Sequence, residues 1–412
     1  LSGTPVLLGY QPQIPELKLN WAKGSPSKEI PNDNFSTLFQ RKINVNEGIY
    51  NIKVRVDDGV RVYVDGKLEL DHWNNTGVNT FDKQIYLSKG IHTILIKHKE
   101  LTGDSLIEFD INPIFDDDRW YGMAFSNPDL TGNSILLGFD EPIETIDFNW
   151  EWDSPGPGIP SDYFSTIFQR NVTINQDGIY NIEAWANDGV QVFVDGKLFI
   201  DQWNNSQGLR KFEKEVFLKS GKHQVIIKHK ELVGVAELRL NINMLVKNDR
   251  WYGMAFSNPD LTGNSSSIGF DSLIKDINFN WGWGSPAANI PTDNFSVIFQ
   301  RKIMVNEGAY NLRVWANDGV QVYVDGKLEI DEWDNDQGLK FFGKPIYLSS
   351  GTHTILIKHK ELVGVSELRF EIDDLLRDNR WYGLAFPTKN FTGTPVLLGY
   401  QPQIPELDFD WG

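Results

Sequence analysis

Tyr50-Asn51-Ile52-Lys53-Val54-Arg55-Val56-Asp57-Asp58-Gly59-Val60-Arg61-Val62-Tyr63-Val64-Asp65-Gly66-Lys67-Leu68-Glu69-Leu70 is the stretch whose reading decides the fold. Tyr50, Ile52, Val54 and Val56 alternate with Asn51, Lys53 and Arg55, the two-residue period of a strand with one buried face. After Asp57-Asp58-Gly59, Val60, Val62 and Val64 alternate again. Asp65-Gly66 predicts a two-residue hairpin, because a type I′ turn needs positive φ at both central positions. Leu68 and Leu70 then continue the return strand. Further along, Ser88-Lys89-Gly90 marks a turn before Ile94 and Ile96, and Ile107, Phe109 and Ile111 share one face of a last strand. No window of ten or more residues shows a 3.6-residue apolar period between plausible caps. Short strands with frequent turns predict an all-β fold, an antiparallel β-sandwich.

The same phrases return twice more. Arg119-Trp120-Tyr121-Gly122 recurs at Arg250 and at Arg380, steps of 131 (250 − 119) and 130 (380 − 250) residues. Phe35-Ser36-Thr37-Leu38-Phe39-Gln40-Arg41 reappears from Phe164 and Phe295, Val64-Asp65-Gly66 from Val194 and Val324, and Lys97-His98-Lys99-Glu100-Leu101 from Lys228 and Lys358. A period this long is a whole domain rather than a solenoid unit. The expected organisation is a first unit over 1–118 that lacks its opening strand, units over 119–249 and 250–379, and the opening segment of a further unit over 380–412. Asp116-Asp117-Asp118, Lys247-Asn248-Asp249 and Arg377-Asp378-Asn379 form joints without Gly/Ser or Pro-rich linkers, which predicts tandem units in a stiff rod on the order of 100 Å long.

The formal net charge of −17 argues against nucleic acid and anionic membrane surfaces as partners, and suits cations, calcium included. No apolar run approaches the roughly 20 residues of a membrane span, so no membrane insertion is expected. The absence of cysteine removes disulfides, thiolate catalysis and thiolate zinc sites. A start at Leu1 rather than Met reads as a fragment or a processed product.

The repeated motifs resemble the domain family named after the amino-terminal part of the anthrax protective antigen, the PA-fourteen domain. The carrying residues run in family order: Trp281-Gly282-Trp283-Gly284-Ser285-Pro286, Phe295-Ser296, Gly308-Ala309-Tyr310, Asn317-Asp318-Gly319-Val320, Val324-Asp325-Gly326, Asp331-Glu332-Trp333, and Gly351 ahead of His353. The resemblance implies a β-sandwich in a secreted or cell-surface setting, and a cysteine-free, acidic, domain-repeating chain suits a bacterial one. Members occur in adhesins, toxins, glycosidases and sensors, so the fold alone does not decide function.

The resemblance also implies a calcium site, since two adjacent acidic residues at the Asx-Asp-Gly turn hold calcium in sugar-binding members. Carried over, the metal ligands are Asp57 and Asp58, Asn187 and Asp188, and Asn317 and Asp318. The last two turns open with Asn, which keeps a carbonyl oxygen and loses one charge, so affinity should fall there. The alternative is a plain tight turn in which Gly supplies positive φ. Trp73, Trp203 and Trp333, with Asn74 and Asn75, Asn204 and Asn205, and Asp334 and Asn335, are candidate glycan contacts; core packing of the Trp and solvated loops are the alternatives. His92 and His98 share one strand face about 20 Å apart, too far for one zinc, so these and their repeats are sheet residues. Glu100, Glu231 and Glu361, where the chain enters the Leu-x-Gly turn, either add carboxylate ligands or are simply solvated, and the solvated reading is the one expected. No nucleophile elbow, phosphate loop or metalloprotease helix occurs, and no enzyme is expected.

Residues 3–17 and 393–407 are identical. Either the chain is a window of a longer array, or the spare opening strand fills the first unit's open edge in a neighbouring copy, building an extracellular filament. The expected function is a non-catalytic, structural or adhesive repeat array of a surface protein or fibre, with calcium-dependent glycan binding as one use. The alternative is an accessory carbohydrate-binding segment of a secreted glycoside hydrolase or toxin.

Overall fold

The computed structural model describes residues 4–9, 16–117, 119–206, 208–270, 273–336, 338–375, 380–399 and 403–408. Asp118, Arg377, Asp378 and Asn379 of the joints, and residues 3, 10–15 and 400–402 of the duplicated stretch, lie outside them. The described residues form strands and turns, with no helix.

The first sandwich is built from β1 (Lys18–Ala22), β2 (Phe35–Val45), β3 (Gly48–Asp57), β4 (Gly59–Val64), β5 (Lys67–His72), β6 (Asn79–Leu87), β7 (Gly90–Glu100) and β8 (Ser105–Pro113). Its two antiparallel sheets run β1-β8-β3-β6 and β2-β7-β4-β5. In the second, β9 (Tyr121–Phe125) and β10 (Ser134–Leu137) precede β11 (Asp147–Glu151), β12 (Phe164–Ile174), β13 (Gly178–Ala186), β14 (Gly189–Val194), β15 (Lys197–Gln202), β16 (Arg210–Leu218), β17 (Gly221–Glu231) and β18 (Ala236–Met244). Its sheets run β11-β18-β13-β16 and β10-β9-β12-β17-β14-β15. The third repeats this plan with β19 (Tyr252–Phe256), β20 (Ser265–Ile268), β21 (Ile277–Gly282), β22 (Phe295–Val305), β23 (Gly308–Asn317), β24 (Gly319–Val324), β25 (Lys327–Glu332), β26 (Leu339–Leu348), β27 (Gly351–Glu361) and β28 (Ser366–Asp374), in sheets β21-β28-β23-β26 and β20-β19-β22-β27-β24-β25. A last pair, β29 (Gly383–Ala385) with β30 (Val396–Leu398), follows.

The period-2 reading sets the core. Ile52, Val54 and Val56 of β3 meet Val60, Val62 and Val64 of β4, Ile94 and Ile96 of β7 and Ile107 of β8 between the two sheets. The hairpins are type I′, with φ of 49° at Asp65 and 82° at Gly66, and the same pair of positive angles at Asp195-Gly196 and Asp325-Gly326. The return strand departs from simple alternation. Val62 faces Leu70 and Tyr63 faces Leu68, so Glu69 is bulged out of register. The bulge turns Leu68 toward solvent while Leu70 stays in the core.

The chain divides into two compact units, residues 1–173, 183–214 and 222–241, and residues 174–182, 215–221 and 242–412. Each contains one joint between consecutive sandwiches, and the two joints use the same chemistry. In the first unit the buried Gln169 side chain accepts from Ile49 N–H (2.7 Å) and donates to the carbonyls of Ile49 (2.9 Å) and Ile114. In the second, Gln300 accepts from Ile179 N–H (2.6 Å) and donates to Ile179 (2.7 Å) and Leu245 (2.6 Å). Lys228 pairs with Glu47 at 2.7 Å in one joint, and Lys358 with Asp177 at 2.7 Å in the other. One amide thus bonds three backbone groups across each joint, where the Ile49 and Ile179 carbonyls also accept from the Ile114 N–H (3.0 Å) and the Leu245 N–H (2.9 Å).

Candidate metal centre

In the first sandwich β3 ends at Asp57 and β7 ends at Glu100, and the ladder between β2 and β7 places Glu100 opposite Phe35. Even-numbered residues of β7 point inward, so His92, Ile94, Ile96, His98 and Glu100 share the core face. This overturns the solvated reading: Glu100 is 1% exposed, and Glu231 and Glu361 are fully buried. Continuing the alternation two residues past His98 would have found them.

Asp57, Asp58 and Glu100 bring carboxylate oxygens within 4.8 Å of one another. All three are buried. Both oxygens of Glu100 lack a hydrogen-bond partner. Burial first, and then the Asp58 charge, push the Glu100 carboxyl up to about 7. Asp57 is also raised, by burial and then by Asp58 and Asp104. Three buried carboxylates stay ionised together only beside a compensating cation, and an all-oxygen donor set suits calcium.

Asp58 has a second task. Its Oδ1 accepts from Gly77 N–H (2.7 Å) and its Oδ2 from Leu101 N–H (2.7 Å). Asp188 and Asp318 accept likewise from Leu232 (2.7 Å) and Leu362 (2.8 Å). The turn glycines do not supply the positive φ of the plain tight-turn alternative. Asp188 and Asp318 adopt φ of 58° and 57°, whereas Asp58 is not left-handed. Gly59 is needed for close approach instead, since a Cβ there would sit 2.3 Å from the Trp73 carbonyl oxygen.

The equivalent turns hold fewer carboxylates. Asn187 donates its amide to the Val235 carbonyl, and its Oδ1 is left without a partner. Glu231 and Glu361 keep both oxygens unpartnered. Burial and then Asp188 raise Glu231 to about 8, and burial and then Asp318 raise Glu361. Asn317 closes β23 beside Asp318. Asp57, Asp58 and Glu100 are thus one cluster, while Asn187, Asp188, Asn317 and Asp318 line the equivalent turns, which carry lower charge and a left-handed Asp.

The aromatic candidates are half-buried. Trp73 carries the Arg61 guanidinium at 5.2 Å and the Lys99 ammonium at 5.4 Å; Trp203 carries Lys228 and Lys230, and Trp333 carries Lys360. Trp73, Asn74 and Asn75 line a cleft of about 420 Å³ with Arg61, Asp71, His72 and Phe81. Asn75, Asn205 and Asn335 donate their side-chain amides to the carbonyls of Asp58 (2.6 Å), Asp188 (2.9 Å) and Asp318 (3.0 Å), tying each loop to its turn. Asn74, Asn204 and Asp334 are exposed. Two exposed indoles were not named as candidate contacts in the sequence. Trp152 and Trp283 are 73% and 76% exposed, and each follows a residue paired with the start of the last strand, Glu151 with Ala236 and Gly282 with Ser366.

The inward histidines are structural. His98 Nε2 contacts the Asp57 carbonyl at 2.6 Å, and burial lowers its pKa. Burial takes His229 and His359 down to about 4. Burial opposes charge on His92, but contact with Asp65 at 2.6 Å and with the Ser88 carbonyl outweighs it, so its pKa is raised.

Matches to the PA14 domain cover residues 1–107, 120–250 and 250–365. Among curated proteins, anti-sigma-I factor RsgI3 of Acetivibrio thermocellus is 28% identical over 209 residues, 46% of this chain and 32% of that protein. The chain therefore spans about a third of that relative's length. Among solved structures, an anti-sigma factor domain-containing protein from Clostridium clariflavum is 22% identical with a TM-score of 0.28, over 62% of this chain and 94% of that one. The PA14 domain of the MpAFP antifreeze protein is 19% identical with a TM-score of 0.24, over 31% and 84%.

Proposed function

The chain belongs to the PA14 domain family, three copies in tandem, and we propose that it is a non-catalytic, extracellular binding array whose first sandwich takes up calcium. The observation that carries this is Glu100, a buried carboxylate with no partner on either oxygen, facing Asp57 and Asp58. Asp57, Asp58 and Glu100 are the strong site. Asn187 with Asp188 and Asn317 with Asp318 are weaker sites of the same kind. The cleft beside Trp73 and Asn74 takes the glycan, with the Asn75 amide coupling it to the metal turn through the Asp58 carbonyl. Trp203, Asn204 and Asn205, and Trp333, Asp334 and Asn335, would serve the other two units.

A glycan screen run in calcium and again in chelator tests the whole proposal. Binding should require calcium and weaken in Trp73→Ala, while calcium uptake by that variant persists. Glycan binding unchanged by chelator would contradict it.

The similarity to an anti-sigma-I factor over 46% of the chain favours a second reading, in which the array is the ligand-binding segment of a sensor rather than of an adhesin or fibre. Attaching the gene's full-length product to a reporter of sigma-factor release, and adding the glycan found in the screen, separates the two. A glycan-dependent signal supports the sensor; none supports the adhesin.

A further inference from the structure

We propose that the outer face of the third sandwich's sheet β21-β28-β23-β26 is a platform, centred on Trp315 and Phe341, for the flat surface of an uncharged polysaccharide. Alternation along β23 and β28 sends Leu312, Val314, Leu368 and Phe370 into the core and turns the residues between them outward. Asn278, Arg369, Trp315 and Phe341 then stand side by side across the four strands, since Asn278 pairs with Arg369, Arg369 with Trp315 and Trp315 with Phe341. The indole and phenyl centroids are 4.9 Å apart, and the Arg369 guanidinium lies over the indole at 4.7 Å. Phe341 is 53% exposed, and Leu339, two residues before it on the same face, is 50% exposed.

Gly343, inside β26, lets the Phe341 ring lie down along the strand, because a Cβ there would meet Phe341 Cζ at 3.0 Å. Glycine within a strand weakens it and marks the close approach of another group. The other sandwiches carry charge at this place. Where the third has Trp315, Phe341 and Gly343, the second has Trp185, Lys211 and Glu213, and the first has Arg55, Thr80 and Asp82. In the second, the Lys211 ammonium covers the indole at 5.0 Å and pairs with Glu183 at 2.8 Å. In the first, Arg55 pairs with Glu108 at 3.2 Å.

The surroundings of the rings select the ligand. Arg313 pairs with Glu371 at 2.6 Å and with Asp373, and Arg369 Nε donates to Glu371 at 3.0 Å. Two guanidiniums thus meet two carboxylates. A charged ligand gains little from such a rim, whereas hydroxyl groups find both donors and acceptors in it. Aromatic faces carry partial negative charge and attract the polarised C–H groups on the face of a sugar ring. The two partly exposed rings and Leu339 offer on the order of 300 Å², against about 800 Å² per side for a stable protein interface. The row has no walls, unlike the cleft beside Trp73. It therefore suits chains already laid flat in a packed polysaccharide rather than a free oligosaccharide, which would lose its conformational freedom on binding. No metal enters this contact, so it stands apart from the calcium reading of the first tip.

The test is retention of the full chain on microcrystalline cellulose in chelator, an uncharged polysaccharide whose equatorial hydroxyls leave C–H groups on both ring faces. Phe341→Lys with Gly343→Glu installs the residues that the second sandwich already accepts there, and Trp315→Arg installs that of the first. The native chain should be retained. Each altered chain should bind at least tenfold more weakly while melting as the native chain does. Asp57→Asn, which acts on the first tip alone, should be retained like the native chain. No retention of the native chain, equal retention of the native and both altered chains, or retention that is lost in Asp57→Asn would each overturn the proposal.

Discussion

The tip of the first sandwich and the tips of the other two stand on one backbone plan and carry opposite chemistry. At the first, Lys23 and Asp104 flank the pair Ala22 and Ser105, and Asp57, Asp58, Glu100 and Asp33 add their charge. At the second and third, the flanking positions hold Trp152 with Val235 and Trp283 with Val365, and Asn187 and Asn317 replace Asp57. Val233 and Val363, 65% and 75% exposed, stand where the first tip has Thr102. The first tip gathers five carboxylates; each of the others keeps three, Asp162, Asp188 and Glu231 or Asp293, Asp318 and Glu361. Near-identical repeats are thus not equivalent sites. Asn against Asp at the turn and Val against Asp four residues past the buried Glu account for the difference in negative charge, while Trp for Lys23 and Val for Thr102 supply the exposed apolar surface of the other two tips.

The largest effect should come from removing the buried ligand. Glu100→Gln keeps the shape and deletes one charge, and should weaken calcium binding about 100-fold, or roughly 2.7 kcal/mol, measured by calorimetry. The same change at Glu231 should leave the tight site untouched. Building the first tip into the second, with Asn187→Asp and Val235→Asp together, should add a second calcium site about tenfold weaker than the first, because the neighbouring side chains stay apolar.

A smaller effect should appear in the pH dependence of stability without metal. Glu231 titrates near 8 in the folded chain, against 4.5 for an ordinary Glu. A raised pKa favours the folded state while the group is protonated, and that contribution is lost as pH rises through the folded value. Buried His229 and His359, down at about 4, act oppositely and finish their gain by about pH 6.5. In chelator, stability should therefore fall by about 1–2 kcal/mol between pH 6.5 and 8.5. Denaturant melts should show less of this fall in Glu231→Gln. Smallest of all, Trp152→Ala should change stability by less than about 0.5 kcal/mol, since an indole this exposed packs little area.

The fold was legible because its signals are local: Val54 to Val64 alternate, and Asp65-Gly66 forms the hairpin it predicts. The Asx-Asp-Gly turns were legible too, as the places where strands β3, β13 and β23 hand over to the next. Glu100 was misread because a carboxylate at a strand end is usually solvated, although the alternation through His98 already pointed it inward. The Glu69 bulge and the need for glycine at Gly59 were hidden for another reason. Each depends on what lies across the sheet, the Leu70 register in one case and the Trp73 carbonyl in the other, and neither partner is adjacent in the sequence. The joints built on Gln169 and Gln300 were hidden likewise, because a glutamine in a strand gives no sign that its amide will bind the backbone of the preceding sandwich.

The direct measurement is a calorimetric titration of the full chain with calcium at pH 7.5, set beside the same titration of Asp57→Asn. One tight calcium per chain should bind to the native sequence, and the tight phase should vanish in the variant, leaving only the weak uptake of the Asn-containing turns. Three equivalent calcium ions per chain, no calcium at all, or matching titrations of the two proteins would contradict the assignment of the first tip as the metal site.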